Sequence, residues 1–492
     1  MQHPPRRLFD WRIGRAGCAD GGRPGGASAG PSPSERQPLY RTINPATGAH
    51  LASFEDADPA AVEAALSAGS RAFDAWRGTP IAARAQALER LADQLERHAD
   101  DHARLITLEM GKPLAAARAE VLKCAANCRW YAAHGAAMLA PETVPHPAGH
   151  AEVRHEPIGI VFAVMPWNFP YWQVVRFLAP ALMAGNVVLL KHASNTPQCA
   201  AALERAGIDA GLPQGVFQNL YLTRDQVARV IEDSRVAAVT LTGSEGAGIS
   251  VGAASGRALK PCVLELGGSD PLIVMPSADL DRAVAAAVTG RFQNSGQSCV
   301  CAKRILVHRD IYPQFRAAFV TAVEALRVGD PTDSSTELGP LSSDAARDEI
   351  AGQVAQALAE GATLVTGGQA LPGPGAFYAP TILEGLPEGA ATRREELFGP
   401  VALVFEVANV DDAIRVANET PFGLGSSVWT QDAGERARFA ADLACGMTFF
   451  NANTVSDPAL PFGGTKRSGI GRELGRWGMM EFVNVRLVFT AA

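Results

Sequence analysis

The stretch most suited to chemistry runs from Phe292 to Arg304 and reads Phe-Gln-Asn-Ser-Gly-Gln-Ser-Cys-Val-Cys-Ala-Lys-Arg. It carries two of the chain's eight cysteines, Cys299 and Cys301. Gly296, Gln297 and Ser298 lead into the first of them, so little side-chain bulk crowds its sulfur. A cysteine so placed can be a nucleophile, because the thiolate is intrinsically strong and its surroundings set its activation. Cysteine is also a small residue that cores readily bury. This stretch alone leaves both readings open.

The elements that must position such a group come from a long, mixed chain. Its 492 residues exceed one core and suit two or three domains. A composition of 47% hydrophobic and 19% charged residues is that of a globular protein. A net charge of −7 leaves no basic excess for nucleic acid. The cysteine spacings match neither a disulfide framework nor a zinc pattern, which implies a reducing, cytoplasmic setting and no metal. No apolar run is long enough to span a membrane. Residues 1–38 are rich in Gly, Pro, Arg and Ser, and are expected to form a disordered tail.

Between Pro59 and Ala137 the apolar spacing predicts a run of helices, with Cys124 and Cys128 facing one core. Pro141 to His150 reads as a linker, and His146, His150 and His155 as solvated loop and strand residues. From Pro157 to Gly267 short continuous apolar runs alternate with helices, the signature of a parallel sheet covered on both faces. Ligands of such sheets bind beyond the carboxyl ends of the strands. Polar or glycine-rich residues follow the strands there: Pro166 to Pro170, Lys191 to Asn195, Thr242 to Gly248 and Glu265 to Ser269. Gly243-Ser244, ahead of a helix, suits an anion, although a plain turn fits equally well without its neighbours. A second α/β region follows, and Glu481 to Thr490 alternates like a strand with no evident partner, free to join another subunit's sheet.

Taken together these segments resemble the NAD(P)-dependent aldehyde dehydrogenases, from about Arg41 to the C-terminus. The matching motifs are Pro166-Trp-Asn-Phe-Pro170, Leu241-Thr-Gly-Ser-Glu-Gly-Ala-Gly248, Glu265-Leu-Gly-Gly268, Gly296-Gln-Ser-Cys299, Glu395-Glu-Leu-Phe-Gly-Pro400 and Pro461-Phe-Gly-Gly464. Within that family the chain is most similar to bacterial succinate-semialdehyde dehydrogenases, through Leu190 to Asn195, Trp172 to Phe177 and Gly290 to Gly296. The resemblance implies an α/β fold of three parts. A Rossmann-like parallel-sheet NAD(P)-binding domain takes residues 39–140 and 155–266. An α/β catalytic domain takes 267–477, and a small β oligomerisation flap takes 141–154 and 478–492. A homodimer or homotetramer is implied.

The resemblance also assigns roles. Cys299 is the nucleophile, Asn168 the side-chain oxyanion donor and Glu265 the general base. Pro166, Trp167, Lys191, Ser194, Gly243, Ser244, Gly248, Leu266, Glu396 and Phe398 surround the cofactor. A thiolate adds to the aldehyde, hydride leaves, and a carboxylate activates water on the thioester; the Glu265 match favours hydrolysis over acyl transfer. The distal carboxylate of the semialdehyde calls for a cation. Arg176 is the first candidate, with Arg291 and Ser456 behind it, since Gln293 stands where relatives can carry a second arginine. Glutarate semialdehyde or a hydroxyaldehyde are alternative substrates, because one methylene discriminates weakly. Ser194 stands where NAD-selective relatives carry Glu, so NADP is the expected cofactor and NAD a further one. Two other classes stay in view: a cysteine hydrolase using His192, and a non-catalytic relative. Cys301 has no catalytic part and is a redox candidate, through a strained disulfide with Cys299.

Overall fold

The computed structural model describes residues 40–492, and the expected disordered tail lies outside them. Two large sheets carry the architecture. The first has the order Gly469–Ile470, Cys262–Glu265, Val236–Thr242, Ile160–Val164, Val187–Lys191, Phe217–Asn219. Every pairing in it is parallel except that of Gly469–Ile470. Its central strands are continuous apolar runs because helices cover both faces; Val161, Phe162, Ala163, Val187 and Leu190 have no exposure. The second sheet has seven strands centred on Arg304–His308 and Pro271–Val274, with apolar clusters on its two faces. Its outer strands Thr363–Thr366 and Thr381–Glu384 escape sequence reading, being four residues each within a turn-rich stretch.

Val483–Ala491, Gly149–Pro157 and Glu142–Val144 form a third, antiparallel sheet. This corrects two expectations. The Pro141–His150 linker is half of a hairpin, and the terminal strand has a partner in its own chain. Local pattern could not reveal that pairing, because Val483 opposes Pro157 across most of the chain, although the resemblance groups 141–154 with 478–492 in one flap. Val485, Leu487 and Phe489 alternate along one exposed face of the terminal strand.

The leading helices do more than cover a sheet. Ala99–Met110 and Leu114–Met138 each send a buried carboxylate to another helix's N-terminus. Glu120 accepts from the backbone N–H groups of Tyr171 (2.9 Å) and Trp172 (3.0 Å), where helix Trp172–Ala184 begins. Glu109 accepts from Gln198 (3.0 Å) and Cys199 (2.9 Å), at the start of helix Pro197–Asp209. These orphan N–H groups sit at the positive end of the helix dipole, so a carboxylate satisfies both needs at once. Glu120 is also ion-paired to the fully buried Lys112. Glu120→Ala should therefore strand a buried cation and two donors, lowering stability by about 3–5 kcal/mol. Arg438→Ala, at an exposed ion pair, should shift the urea midpoint scarcely at all. Equal midpoints for the two variants would contradict the capping role.

Candidate active site

The carboxyl ends of the first sheet's strands converge with a loop that leads into the second sheet. Asn168 follows Ile160–Val164, Lys191 ends its strand, Gly243-Ser244 follow Val236–Thr242, and Glu265 ends Cys262–Glu265. Cys299 lies between helix Leu280–Phe292 and strand Arg304–His308. The turn before it is strained: Asn294 and Ser295 sit at φ of 52° and 54°, each at a cost on the order of 1–2 kcal/mol. Specific bonds hold that geometry. Asn294 Nδ2 donates to Asn168 O (2.9 Å) and Gln297 O (3.1 Å), and Ser295 Oγ donates to Gly339 O (2.8 Å). Gly296 has φ of 74°, and a Cβ there would lie 2.2 Å from Gly399 O, so no other residue fits. The Asn168 amide donates to Gln297 O at 3.1 Å, which sets its side chain against the nucleophile loop.

The other end of the loop is pinned by Lys303. Its fully buried ammonium donates to Ser298 O (2.7 Å), Cys299 O (2.8 Å) and Glu396 Oε1 (2.9 Å). The same Glu396 oxygen accepts from Gly268 N–H at 2.9 Å. One ammonium thus joins the nucleophile loop, the glycine turn after Glu265 and the Glu395–Pro400 segment. Sequence reasoning missed it, because a lysine two residues past a surface-like Cys-Val-Cys gives no sign of burial.

Glu265 is almost fully buried, and neither of its carboxyl oxygens has a hydrogen-bond partner among the described residues. A Cβ on Gly463 would lie 2.6 Å from Oε1, so that glycine keeps the carboxyl's place open. Burial raises the Glu265 carboxyl well above its usual range, and the nearby Glu473 carboxylate adds to this against Arg176 and Arg472. Burial also pushes the Cys299 thiol up to about 12, although Lys303 and Arg176 pull the other way. The Cys299 thiol therefore holds its proton at neutral pH in the free protein.

On the cofactor side, Lys191 and Ser194 are half-buried after their strand. Burial, then the charge of Arg224, lowers the Lys191 ammonium to about 8. Arg224 opens helix Arg224–Glu232 and adds a second cation that sequence reading did not place. No described carboxylate forms an ion pair with Lys191. Ser244 caps helix Glu245–Arg257, and the acid in its first turn, Glu245, is ion-paired to Arg467. Gly248 faces Leu266, where a Cβ would come within 2.6 Å of the leucine side chain. Beyond them, half-buried Pro166 and Trp167 face the Glu396 segment, with the Trp167 and Phe398 rings edge to face at 5.9 Å. Two cations without a carboxylate, an exposed helix N-terminus and glycines that admit close approach suit a phosphorylated dinucleotide.

A cavity of about 300 Å3 opens at Cys299, lined also by Lys123, Trp172, Arg176, Gln293 and Ser456. Two substrate expectations change here. Arg176 borders the cavity, but its guanidinium is ion-paired to Glu473 with both side chains buried, donates to Thr242 Oγ1 (3.2 Å) and lies over Phe462 (4.6 Å). It is not a free cation. Arg291 does not reach the cavity: it is fully buried and donates to the backbone carbonyls of Val401 (2.7 Å), Leu397 (2.9 Å), Gly296 and Gly399. Its role is to bind the Glu395–Pro400 segment to the turn before Cys299. Ser456 Oγ borders the cavity and accepts from Trp172 Nε1 (3.0 Å).

His192 is buried and locked, with Nε2 at 2.9 Å from Pro170 O and Nδ1 accepting from Ala193 N–H (2.8 Å). Burial lowers it to about 4, and it does not line the cavity, so it offers no base to Cys299. Cys301 is fully buried, its sulfur 3.9 Å from Gln293 O.

The raised thiol has a direct consequence. Alkylation of Cys299 by iodoacetamide in the cofactor-free protein should rise about tenfold per pH unit across pH 7–10, as the thiolate fraction does. A rate that levels off below pH 9 would show a thiolate already formed.

The Aldehyde dehydrogenase family profile matches residues 32–488. Succinate-semialdehyde dehydrogenase [NADP(+)] 1 of Mycobacterium tuberculosis (strain ATCC 25618 / H37Rv) is 54% identical over 457 residues, 92% of this chain and 99% of that protein. Succinate-semialdehyde dehydrogenase [NADP(+)] of Mycobacterium avium (strain 104) is 53% identical over 454 residues, 91% and 96% of the two chains. A crystal structure of succinic semialdehyde dehydrogenase from Streptococcus pyogenes, in complex with NADP+, superposes with a TM-score of 0.90 at 37% identity, covering 92% of this chain and all of that one. With its motifs, its fold and these relatives in agreement, the chain belongs to the aldehyde dehydrogenase family.

Proposed function

We propose that this protein oxidises succinate semialdehyde to succinate with NADP+, through a thiohemiacetal and a thioester on Cys299. The observation that carries the reading is the shared Lys303 ammonium, which ties the nucleophile's own carbonyl to Glu396. A nucleophile and a ribose-binding carboxylate held on one cation are what an aldehyde dehydrogenase needs. The relatives named above supply the substrate.

In the proposed sequence the Cys299 proton passes to solvent water and the resulting thiolate adds to the aldehyde carbon. The Asn168 amide, released from Gln297 O, and the Cys299 backbone N–H donate to the new alkoxide. Lys191, Ser194, Gly243, Ser244, Glu396 and Phe398 would hold NADP+, which would supply the hydride acceptor that turns the thiohemiacetal into a thioester. Glu265 then takes a proton from water as that water attacks the thioester. Its two unpartnered oxygens leave room to accept that proton. Because its carboxyl is raised, the base becomes competent as pH rises, and the hydrolytic step gains rate on the alkaline side.

Residues 39–140 with 155–266 bind the cofactor, 267–477 complete the catalytic part, and 141–154 with 478–492 form the flap. The exposed Val485, Leu487 and Phe489 support association of copies through that flap. No helix among the described residues is long and apolar enough to cross a membrane. Seven free cysteines among the described residues favour a reducing, cytoplasmic setting.

Glu265→Gln should lower kcat by about 100-fold or more, yet still release a burst of NADPH near one equivalent per site. A variant without that burst would place Glu265 ahead of hydride transfer. For the cofactor, Lys191→Ala and Arg224→Ala should each lower kcat/KM for NADP+ by about tenfold or more, with smaller losses for NAD+. Equal losses for the two cofactors would remove the 2′-phosphate from the account.

A further inference from the structure

Three side chains in the cavity wall carry positive charge: Lys112, Lys123 and Arg176. Two are neutralised within the wall, Lys112 by Glu120 and Arg176 by Glu473. Arg291, the other arginine near the nucleophile, faces backbone carbonyls away from the cavity. Lys123 differs from all of them. It has no carboxylate within ion-pair distance among the described residues. Glu120 and Asp457 act on it only through their field, and Arg176 acts against them.

Its ammonium is nevertheless fixed. Nζ donates to Ser456 Oγ at 2.7 Å and lies 4.0 Å from the centre of the Trp172 ring. Trp172 Nε1 donates to the same Ser456 oxygen at 3.0 Å. Lysine, serine and tryptophan thus form one cluster on the wall of the cavity that holds Cys299. A desolvated ammonium with one hydroxyl and one aromatic face lacks its natural partner, an anion. Burial, the first cause, lowers it to about 8, so it still carries its charge at neutral pH. Beside the cluster stands Gln293, a neutral residue on the same wall.

We infer that Lys123, with Ser456, binds the distal carboxylate of the substrate and selects acid-bearing aldehydes over neutral ones. The ammonium would donate to one carboxylate oxygen, and Ser456, already accepting from Trp172 and Lys123, would turn its own proton toward the other. Arg176 contributes by holding Glu473 in place. The inference rests on the proposed oxidation of a carboxylate-bearing aldehyde.

The test compares kcat/KM for succinate semialdehyde with that for butanal, using NADP+ and the full-length enzyme. Lys123→Met should lower the ratio of the two by at least 30-fold, through a rise in KM for the semialdehyde. Lys123→Arg, which keeps the charge, should hold the ratio within about fivefold of wild type. Lys123→Gln keeps a hydrogen bond to Ser456 and serves if the methionine variant does not fold; the same fall is expected. A wild-type preference for the semialdehyde that survives in Lys123→Met and Lys123→Gln overturns the role of Lys123 alone. A wild-type enzyme with no preference over butanal overturns the substrate reading, and this inference with it.

Discussion

A single buried ammonium sets the geometry on which everything else depends. Lys303 has no exposure and spends its three protons on Ser298 O, Cys299 O and Glu396. Those acceptors belong to segments separated by nearly a hundred residues. Without the lysine, two carbonyls and a carboxylate would face one another with no donor between them, and such groups repel. Arg291 repeats the device a turn away, gathering the carbonyls of Gly296, Leu397, Gly399 and Val401. Together the two cations clamp the nucleophile loop against Glu395–Pro400.

Buried charge recurs throughout the molecule, and several instances are paired. Lys112 meets Glu120, Arg176 meets Glu473, and Arg393 meets Glu419 at 3.0 Å. Such pairs add little net stability but become expensive when halved, so they fix which helix meets which strand. Others meet backbone groups instead, as Arg291, Arg304 and Glu109 do, and two of the remainder stand at the site. Among the described residues Glu265 has no hydrogen-bond donor, and Lys123 has no carboxylate in ion-pair reach. A carboxyl and a cation are thus left without such partners near one cysteine.

Much of the fold could be read directly from the sequence, because the strands of the first sheet are continuous apolar runs ending in polar motifs. The post-strand segments Asn168, Lys191, Gly243-Ser244 and Glu265 fall at one sheet edge as the pattern required. The third sheet could not be read from local pattern, and only the family resemblance groups 141–154 with 478–492. Glu142–Val144 is short and exposed, and the terminal strand's partner is remote in the chain. Side-chain commitments were equally hidden. Arg176 and Arg291 look alike as arginines near a motif, yet one is consumed by Glu473 and the other by carbonyls. The partners come from distant segments that no local period announces. Lys123 was passed over for the same reason, sitting in mid-helix between Leu122 and Cys124.

The elevated Cys299 thiol has a meaning for survival as well as for rate. Peroxide and related oxidants attack thiolates far faster than thiols. With burial pushing its thiol up to about 12, little Cys299 is ionised at pH 7. The resting enzyme therefore presents oxidants with an inert sulfur. The burial that holds the Cys299 proton thus also shields its sulfur from such attack.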